Sequence, residues 1–244
     1  MRAEASLLAA LRAASEPVTS PHPLSFEELE QASGLVLYRA EPLLPRGGHT
    51  LTVSGLHDRA QVFLDGAPLG VLDGGTASLE VLGQGERVLL ELLVENQGRV
   101  NYGPLLGGHK GILGGVSVGR RLVHGWTMHR LPLDTWTRED LARAVSAAGP
   151  DGCAGFATAR FTIPEPADAF LAFPGFGKGF VWVNGTLLGR YWEIGPQRTL
   201  YVPAPLLVPG ENTVTLLELE RLGDRLELCE RPELGPAEEY VETF

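Results

Sequence analysis

The sequence has little cysteine and no long apolar run. Two cysteines, Cys153 and Cys229, are too few for a disulfide framework and lack the spacing of zinc ligands, although a single bridge between them stays open. No apolar stretch approaches the roughly 20 residues that a membrane-spanning helix needs. Near the N-terminus, Glu4 and Arg12 interrupt the apolar residues, which makes a poor signal peptide. We therefore expect a cytoplasmic protein with no metal site and no membrane partner.

Clustered positive charge is also scarce. The 20 Lys and Arg residues are outnumbered by 30 Asp and Glu, so the formal net charge is −10. A surface of this sign repels a phosphate backbone. The one basic doublet, Arg120 and Arg121, lies in a strand-like segment and is interpreted as a solvated face. Nucleic acid is therefore not expected as a partner, and no motif indicates a cofactor.

Turn-forming residues, in contrast, are abundant. The 31 glycines and 18 prolines are spread along the chain without a period, which favours many turns over a collagen-like segment. Between them lie short apolar or β-branched runs such as LTVSG, AQVFLDG, VLLELLVENQG and RLVHGWTM. With 244 residues and 44% hydrophobic content, the chain can build two modest cores. The sequence therefore predicts an all-β fold of two β-sandwich domains.

The order of these patterns predicts four segments. Residues 1–24 are expected to form a helical stub and a Pro-rich linker whose prolines prevent regular strand pairing. Residues 25–133 form the first sandwich, and Ser25 with Glu28 has the pattern of a capping box at its start. Residues 134–150 form a helical connector capped by Thr137 and Asp140. Residues 151–244 form the second sandwich, with an acidic tail that is expected to fray.

The two β-rich segments resemble each other. VFLDGAPLG at 62–70 aligns with VWVNGTLLG at 181–189, and each contains a tight-turn dipeptide, Asp65-Gly66 or Asn184-Gly185, between apolar strands. GERVLLELLVENQG at 85–98 aligns without a gap with GENTVTLLELERLG at 210–223. Two related sandwiches explain these matches most simply.

Two longer stretches resemble one enzyme family. VENQGRVNYGPLLGGHKGILGGVSVG at 94–119 and GFGKGFVWVNGTLLGRYWEIGPQRTLYVPAPLLVPGENTVTLLELE at 175–220 are similar to the C-terminal region of the family 35 glycoside hydrolases, the β-galactosidases. The resemblance implies jelly-roll or galactose-binding-like domains that follow a catalytic TIM barrel. Neither glutamate motif of that barrel is present, and a barrel takes about 250 residues. We therefore expect no catalytic residue and no turnover by this chain alone.

Several apparent motifs are interpreted structurally. Glu95, in VENQG, matches the first β-domain of the family rather than its acid/base motif. Ser117 lies in a G-x-S-x-G pattern, but the residues that follow indicate a strand and not the helix of a nucleophile elbow. His124 and His129 are five residues apart and would face opposite sides of a strand. The glycines at 175–179 lack a P-loop ending and predict a turn.

One segment combines flat aromatic rings with polar groups, which are the two surfaces that a sugar requires. Two of its residues have an alternative structural interpretation: Trp182 as a core residue, and Arg190 as the partner of an acidic residue in an ion pair. The candidate sugar-binding residues are Trp182, Asn184, Arg190, Tyr191 and Trp192.

Three functions are consistent with the sequence. The favoured one is an accessory, non-catalytic portion of a β-galactosidase that works with a separately encoded catalytic barrel. The alternative is a stand-alone module that binds galactosides weakly. A third is an oligomer contact through the face that would meet the barrel.

Overall fold

The computed structural model describes residues 3–147, 154–195 and 198–235. They form two compact units, one of residues 3–147 and one that begins, within the described residues, at 154. Both are built almost entirely of antiparallel strands, which confirms the predicted all-β class. None of the helices in these ranges has the length and apolarity to span a membrane. Cys153, the end of the predicted connector and the acidic tail from residue 236 lie outside the described residues.

The first unit is an eight-stranded sheet flanked by two helices. Its elements are α1 (Ala3–Ala13), β1 (Pro17–Ser20), β2 (Leu35–Ala40), β3 (Leu43–Leu44), β4 (Gly47–Leu64), β5 (Ala67–Gly83), β6 (Glu86–Arg87), β7 (Leu90–Glu95), β8 (Gly111–Val118), β9 (Arg121–Leu122), β10 (Trp126–Leu131) and α2 (Arg138–Ala147). The strand order is β1-β10-β2-β7-β4-β8-β9, with β5 paired to β4 and a separate pair β3-β6. Tyr38, Leu92 and Trp126 lie in its core, which the curled sheet encloses.

The Pro-rich segment before the first sandwich contains a strand. Val18 pairs with Met128 and Thr19 with Thr127 as β1 joins the edge of the sheet beside β10. The expectation that prolines prevent pairing here is wrong, because Pro17 occupies the first residue of an edge strand. At that position its missing N–H removes nothing essential from the ladder.

Helix α1 is part of the first unit. Leu7, Leu8 and Leu11 are buried, and Arg12 donates to the Glu91 carboxylate at 2.7 Å. Glu91 is also bound by Arg39 at 2.9 Å, so two guanidinium groups neutralise a carboxylate that is 1% exposed. An ion pair anchored in this way ties the helix to β7 and β2.

Both predicted capping boxes are confirmed. The Ser25 amide donates to Glu28 Oε2 at 2.8 Å, and the Glu28 amide donates to Ser25 Oγ at 3.1 Å. At the start of α2, the Thr137 amide donates to Asp140 Oδ2 at 2.9 Å and the Asp140 amide donates to Thr137 Oγ1 at 3.2 Å. The Thr137 hydrogen bonds lower the pKa of Asp140.

The second unit has two facing sheets. Its strands are β11 (Gly155–Ile163), β12 (Ala169–Ala172), β13 (Lys178–Val183), β14 (Thr186–Trp192), β15 (Thr199–Val202), β16 (Gly210–Glu218) and β17 (Glu227–Cys229), with a short 3-10 helix at Ala204–Leu206. One sheet has the order β11-β16-β13-β14 and the other β15-β12-β17. Val181, Val214 and Leu216 contribute to its core.

The two units share a topology. The order β2-β7-β4-β5 in the first unit matches β11-β16-β13-β14 in the second, and all these pairs are antiparallel. Both predicted hairpins are present, and Asp65 and Asn184 each have a φ of 50° with a positive-φ glycine after them. Two successive residues of positive φ are the signature of a type I′ turn.

The ungapped alignment of 85–98 with 210–223 is wrong by one residue. Val62 pairs with Leu92, whereas its equivalent Val181 pairs with Leu216 rather than with Leu217. The hairpin residues agree, since the Leu89 amide donates to Asp65 at 2.7 Å and the Thr213 amide donates to Asn184 at 2.9 Å. Because strand side chains alternate between faces, the structural register is the one that puts core residues opposite core residues.

Candidate carbohydrate site in the second unit

The candidate residues lie along a single hairpin. Trp182 is on β13, Asn184 is in the turn, and the other three end β14. Asn184 bonds to three partners around the turn: it accepts from the Thr213 amide and donates to Leu206 O and Asn212 Oδ1, both at 2.8 Å. These bonds hold the hairpin against β16 and occupy the Asn184 amide group.

Two of the candidate rings are interior residues. Trp182 is 1% exposed, in a strand in which every residue is buried. Tyr191 is buried as well, with its ring stacked on Phe173 at 4.2 Å and packed edge-on against Phe176 at 6.1 Å. The protein covers most of both rings, so the aromatic groups chiefly build the core of the unit. Sugar contact at these positions stays a prediction.

A buried carboxylate lies beneath Tyr191. Glu218 is 0% exposed, and its Oε2 accepts the Tyr191 hydroxyl at 2.8 Å. Its Oε1 accepts backbone amides from Lys178 at 3.0 Å and from Glu220 and Arg221 at 2.8 Å. Burial raises the pKa of Glu218, and burial together with the adjacent carboxylate raises the pKa of the Tyr191 hydroxyl. The carboxylate thus joins three chain segments at the base of the site.

Trp192 is half-buried and lies among cationic groups. Lys178 Nζ is 3.5 Å from its ring centroid, and the Arg190 guanidinium carbon is 6.0 Å away. An ammonium this close to an indole face is a cation–π contact, which is stronger when the ammonium is shielded from water, as buried Lys178 is. Arg190 and Trp192 therefore adjoin each other, and the role of both in sugar binding stays a prediction.

A pocket of ≈ 320 Å³ opens beside this hairpin, at the ends of the strands. Tyr191 and Trp192 line it, whereas Trp182, Asn184 and Arg190 do not. The pocket has an aromatic wall with charged groups around it, and the sequence did not predict these charged groups. The other lining residues with polar or aromatic side chains are Phe173, Phe176, Glu193, Arg198, Glu227 and Glu233.

These charged residues come from distant segments. Glu227 reaches the pocket because β17 pairs with β12, where it lies opposite Ala172. Glu233 is held by its amide, which donates to Thr199 Oγ1 at 2.9 Å. Glu193 forms an ion pair with Arg221. No local sequence pattern indicates such a convergence, because it depends on long-range strand pairing.

The apparent motifs have the positions expected of structural residues. Glu95 is buried at the end of β7. Ser117 pairs with Leu122 in a strand–turn–strand unit, so the helix that a nucleophile elbow requires does not follow it. His129 is buried near Ser15 O, whereas His124 is exposed and packs against His22. No group of His, Cys, Asp and Glu able to hold a metal occurs in the described part of the chain.

Comparisons with known proteins agree with this architecture. Residues 23–132 match the family described as "Beta-galactosidase, first all-beta domain", and residues 154–212 match "Beta-galactosidase, galactose-binding domain". The class of the protein is therefore that of the accessory all-β domains of glycosidases. The chain belongs to the β-galactosidase family and represents its non-catalytic, all-β portion.

Its relatives are longer proteins. The β-galactosidase of Macaca fascicularis is 38% identical over 93% of this chain, and that of Homo sapiens is 36% identical over the same share. Beta-galactosidase 17 of Arabidopsis thaliana is 35% identical over 84% of the chain. The chain spans 38% of the length of the first two and 34% of the third.

Proposed function

We propose that this chain supports the catalytic domain of a β-galactosidase and does not hydrolyse galactosides by itself. Its relatives carry the name β-galactosidase, and the segments that match them are the all-β domains. Retaining glycosidases need two carboxyl groups about 5 Å apart, one as acid/base and one as nucleophile. In the proposal, that pair belongs to a separate catalytic barrel.

The observation that supports a docking role is an exposed apolar loop, residues 100–106, between β7 and β8. Tyr102 is 87% exposed and Leu105 71% exposed, and Val100 and Leu106 are also exposed. Contiguous exposed apolar side chains of this kind are typical of surfaces that contact another protein. The occupant that we propose is the catalytic domain.

Both ends of the apolar loop are anchored by charged groups. Arg99 donates to Glu27 and to Ala32 O, and Lys110 Nζ binds Asp58 at 2.7 Å. Burial raises the pKa of Glu27, but hydrogen bonds from Arg99 and the Lys110 amide outweigh it, so the pKa is lowered. The loop is thus held in place at both ends while its tip stays open to a partner.

A reconstitution assay tests this function. Turnover of an aryl β-galactoside is measured for the chain, for the catalytic domain of a β-galactosidase from the same organism, and for their mixture. We expect no turnover by the chain and a higher rate in the mixture than with the catalytic domain alone. Turnover that follows the purified chain, or a mixture no faster than the catalytic domain, contradicts the proposal.

Variants separate docking from folding in the same assay. Leu105→Ser combined with Leu106→Ser removes apolar area from the apolar loop and is expected to abolish the stimulation. Leu82→Ser changes an equally exposed leucine on β5 and is the matched control. Equal loss of stimulation in both variants would assign the effect to general destabilisation rather than to the loop.

A second candidate function is weak galactoside binding in the ≈ 320 Å³ pocket. Its aromatic wall and carboxylate rim offer both an apolar face and hydroxyl acceptors, and the matched domain carries the description "galactose-binding". An affinity in the millimolar range, about −4 kcal/mol, is expected of such an open site.

Chemical-shift titration with galactose tests this candidate. Shifts that saturate and map to the residues around Trp192 are expected, and Arg198→Gln should weaken them. Arg160→Gln, which removes an exposed charge from β11, is the control and should leave the titration unchanged. A flat titration at saturating sugar excludes the function.

A further inference from the structure

A second pocket, of ≈ 310 Å³, lies in the first unit and has two arginines in its lining. Arg39 from β2, Arg87 from β6 and His124 from the β9–β10 connection converge on it, together with the Thr127 hydroxyl side chain and Glu41. In a chain of net charge −10, two guanidinium groups and an imidazole in one concavity form a distinct local environment.

The Arg39 guanidinium is held in place by a buried carboxylate. Its Nε donates to Glu91 Oε1 at 2.9 Å, and Glu91 is itself buried and bound by Arg12 at 2.7 Å. With Nε engaged, the terminal nitrogens of Arg39 remain available on the pocket side. A guanidinium orientated in this way can donate two parallel hydrogen bonds to an oxyanion.

Arg87 is orientated by the backbone. Its Nη1 donates to Glu41 O at 2.7 Å, which leaves Nε and Nη2 for a ligand. Arg39 shares the Glu91 carboxylate with Arg12, whereas no ion pair of Arg87 occurs among the described contacts, so this part of the first unit carries more positive than negative charge. His124 packs edge-on against His22, with ring centroids 5.4 Å apart, and adds an imidazole N–H donor to the lining.

We propose that this pocket binds a phosphate or sulfate group, either as the free oxyanion or as an ester on a sugar. Two guanidinium groups with preset orientations match the several acceptor oxygens of a tetrahedral anion. The pocket volume exceeds what the anion alone fills, so it also admits a sugar attached to it. This site is separate from the pocket at Trp192 and does not depend on galactose binding there.

The test is a titration of the full chain, in which backbone amide shifts are followed by NMR with inorganic phosphate, galactose 6-phosphate and galactose as probes. Saturable shifts at Gly125 and Thr127 with the two phosphate probes are expected, and none with galactose. Tighter binding of galactose 6-phosphate indicates the ester as ligand, and equal binding indicates the free anion. Linear, unsaturated shifts, or galactose acting as well as phosphate, overturn the proposal.

Substitutions distinguish a site from general attraction. Arg87→Gln is expected to weaken phosphate binding about tenfold or more, because hydrogen bonds to a charged group are lost. Arg120→Gln removes the same charge from the exposed β8–β9 turn and should change binding by less than about threefold at physiological salt, where screening is strong. Equal effects of the two variants, with folding intact by circular dichroism, refute the site. Arg39 is left unchanged because it also neutralises Glu91.

Discussion

At the scale of single residues, the two hairpin turns use different side chains, a carboxylate and an amide, to accept a backbone N–H. Asp65 and Asn184 both have a φ of 50°; Asp65 accepts the amide of Leu89, just before β7, and Asn184 accepts the amide of Thr213 on β16. Aspartate and asparagine tolerate this left-handed backbone better than most residues with a Cβ. Asn184 also donates two hydrogen bonds, to Leu206 O and Asn212 Oδ1, which the carboxylate of Asp65 cannot do.

This difference predicts unequal sensitivity to substitution. Asn184→Ala removes three hydrogen bonds and adds backbone strain, so it should lower the free energy of unfolding by about 2–3 kcal/mol. Asp65→Asn keeps both the acceptor and the tolerance of positive φ and should cost less than about 1 kcal/mol. Urea denaturation measures both variants. A loss at Asp65→Asn as large as that at Asn184→Ala would show that the turn chemistry is misassigned.

Glu218 is the second residue whose surroundings allow a firm prediction. Glu218→Gln keeps the shape but weakens the four hydrogen bonds that the buried carboxylate accepts, and should destabilise the second unit by about 2–4 kcal/mol. Glu211→Gln, on the same strand but exposed, should cost under about 1 kcal/mol. Urea denaturation followed by tryptophan fluorescence compares the two, and equal midpoints would contradict the role of Glu218.

At the scale of elements, a buried histidine lies where the chain leaves α1. His129 on β10 is buried, and its Nδ1 is 3.4 Å from Ser15 O. Burial lowers the pKa of His129, and the charges of Arg39 and Arg12 add to this, while Ser15 O and Glu91 oppose it. The imidazole is therefore neutral in the folded protein at pH values where the unfolded chain begins to take up a proton.

Stability should consequently fall with acidification. Below about pH 6.5 the unfolded state binds a proton at this histidine that the folded state does not, so the free energy of unfolding decreases until the lowered folded pKa is reached. The contribution to the slope is at most about 1.4 kcal/mol per pH unit. His129→Gln should flatten the slope, whereas His109→Gln at an exposed position should not. Urea denaturation between pH 5 and 7 measures it, and an unchanged slope in His129→Gln contradicts the prediction.

At the scale of the whole molecule, the chain carries the same four-strand arrangement twice. Each copy has its own core, one around Tyr38 and Trp126 and the other around Val181 and Leu216. The elements added to each copy differ, since the first unit has α1, α2 and the β1–β10 edge, and the second has the β15-β12-β17 sheet. The aromatic pocket with its carboxylates belongs to the second unit alone among the described residues.

Because the two units have separate cores, we expect substitutions in different units to have additive effects on the free energy of unfolding. Asp65→Ala and Asn184→Ala share no hydrogen-bond partner, so the double variant should lose the sum of the two single losses within about 0.5 kcal/mol. Hydrogen exchange with mass spectrometry follows peptides of each unit separately. Faster exchange in both units after one substitution would contradict the independence of the cores.

The sequence alone determined two kinds of feature: local structure and membership in a protein family. The Asp65-Gly66 and Asn184-Gly185 hairpins, the two capping boxes and the helix before the second unit follow from short-range rules, since each depends on residues within a few positions. The all-β class and membership in the β-galactosidase family were also predicted from the sequence. Glu95 lies within the matched first all-beta domain, and Ser117 lies in the strand–turn–strand unit that the residues after it predicted.

Only the tertiary structure decided the features that depend on distant pairing. An ungapped alignment of apolar runs does not detect the one-residue offset between β7 and β16. A register shift of one residue nevertheless moves every side chain of a strand to the opposite face of the sheet. The pairing of β1 depends on an edge that β10 offers more than 100 residues later. The pocket beside Trp192 combines Arg198 and Glu227, which come together because β12, β15 and β17 share a sheet, with Glu193, which follows β14 of the other sheet. Local chemistry specifies turns and caps, whereas a site built from several strands exists only after the sheets have formed.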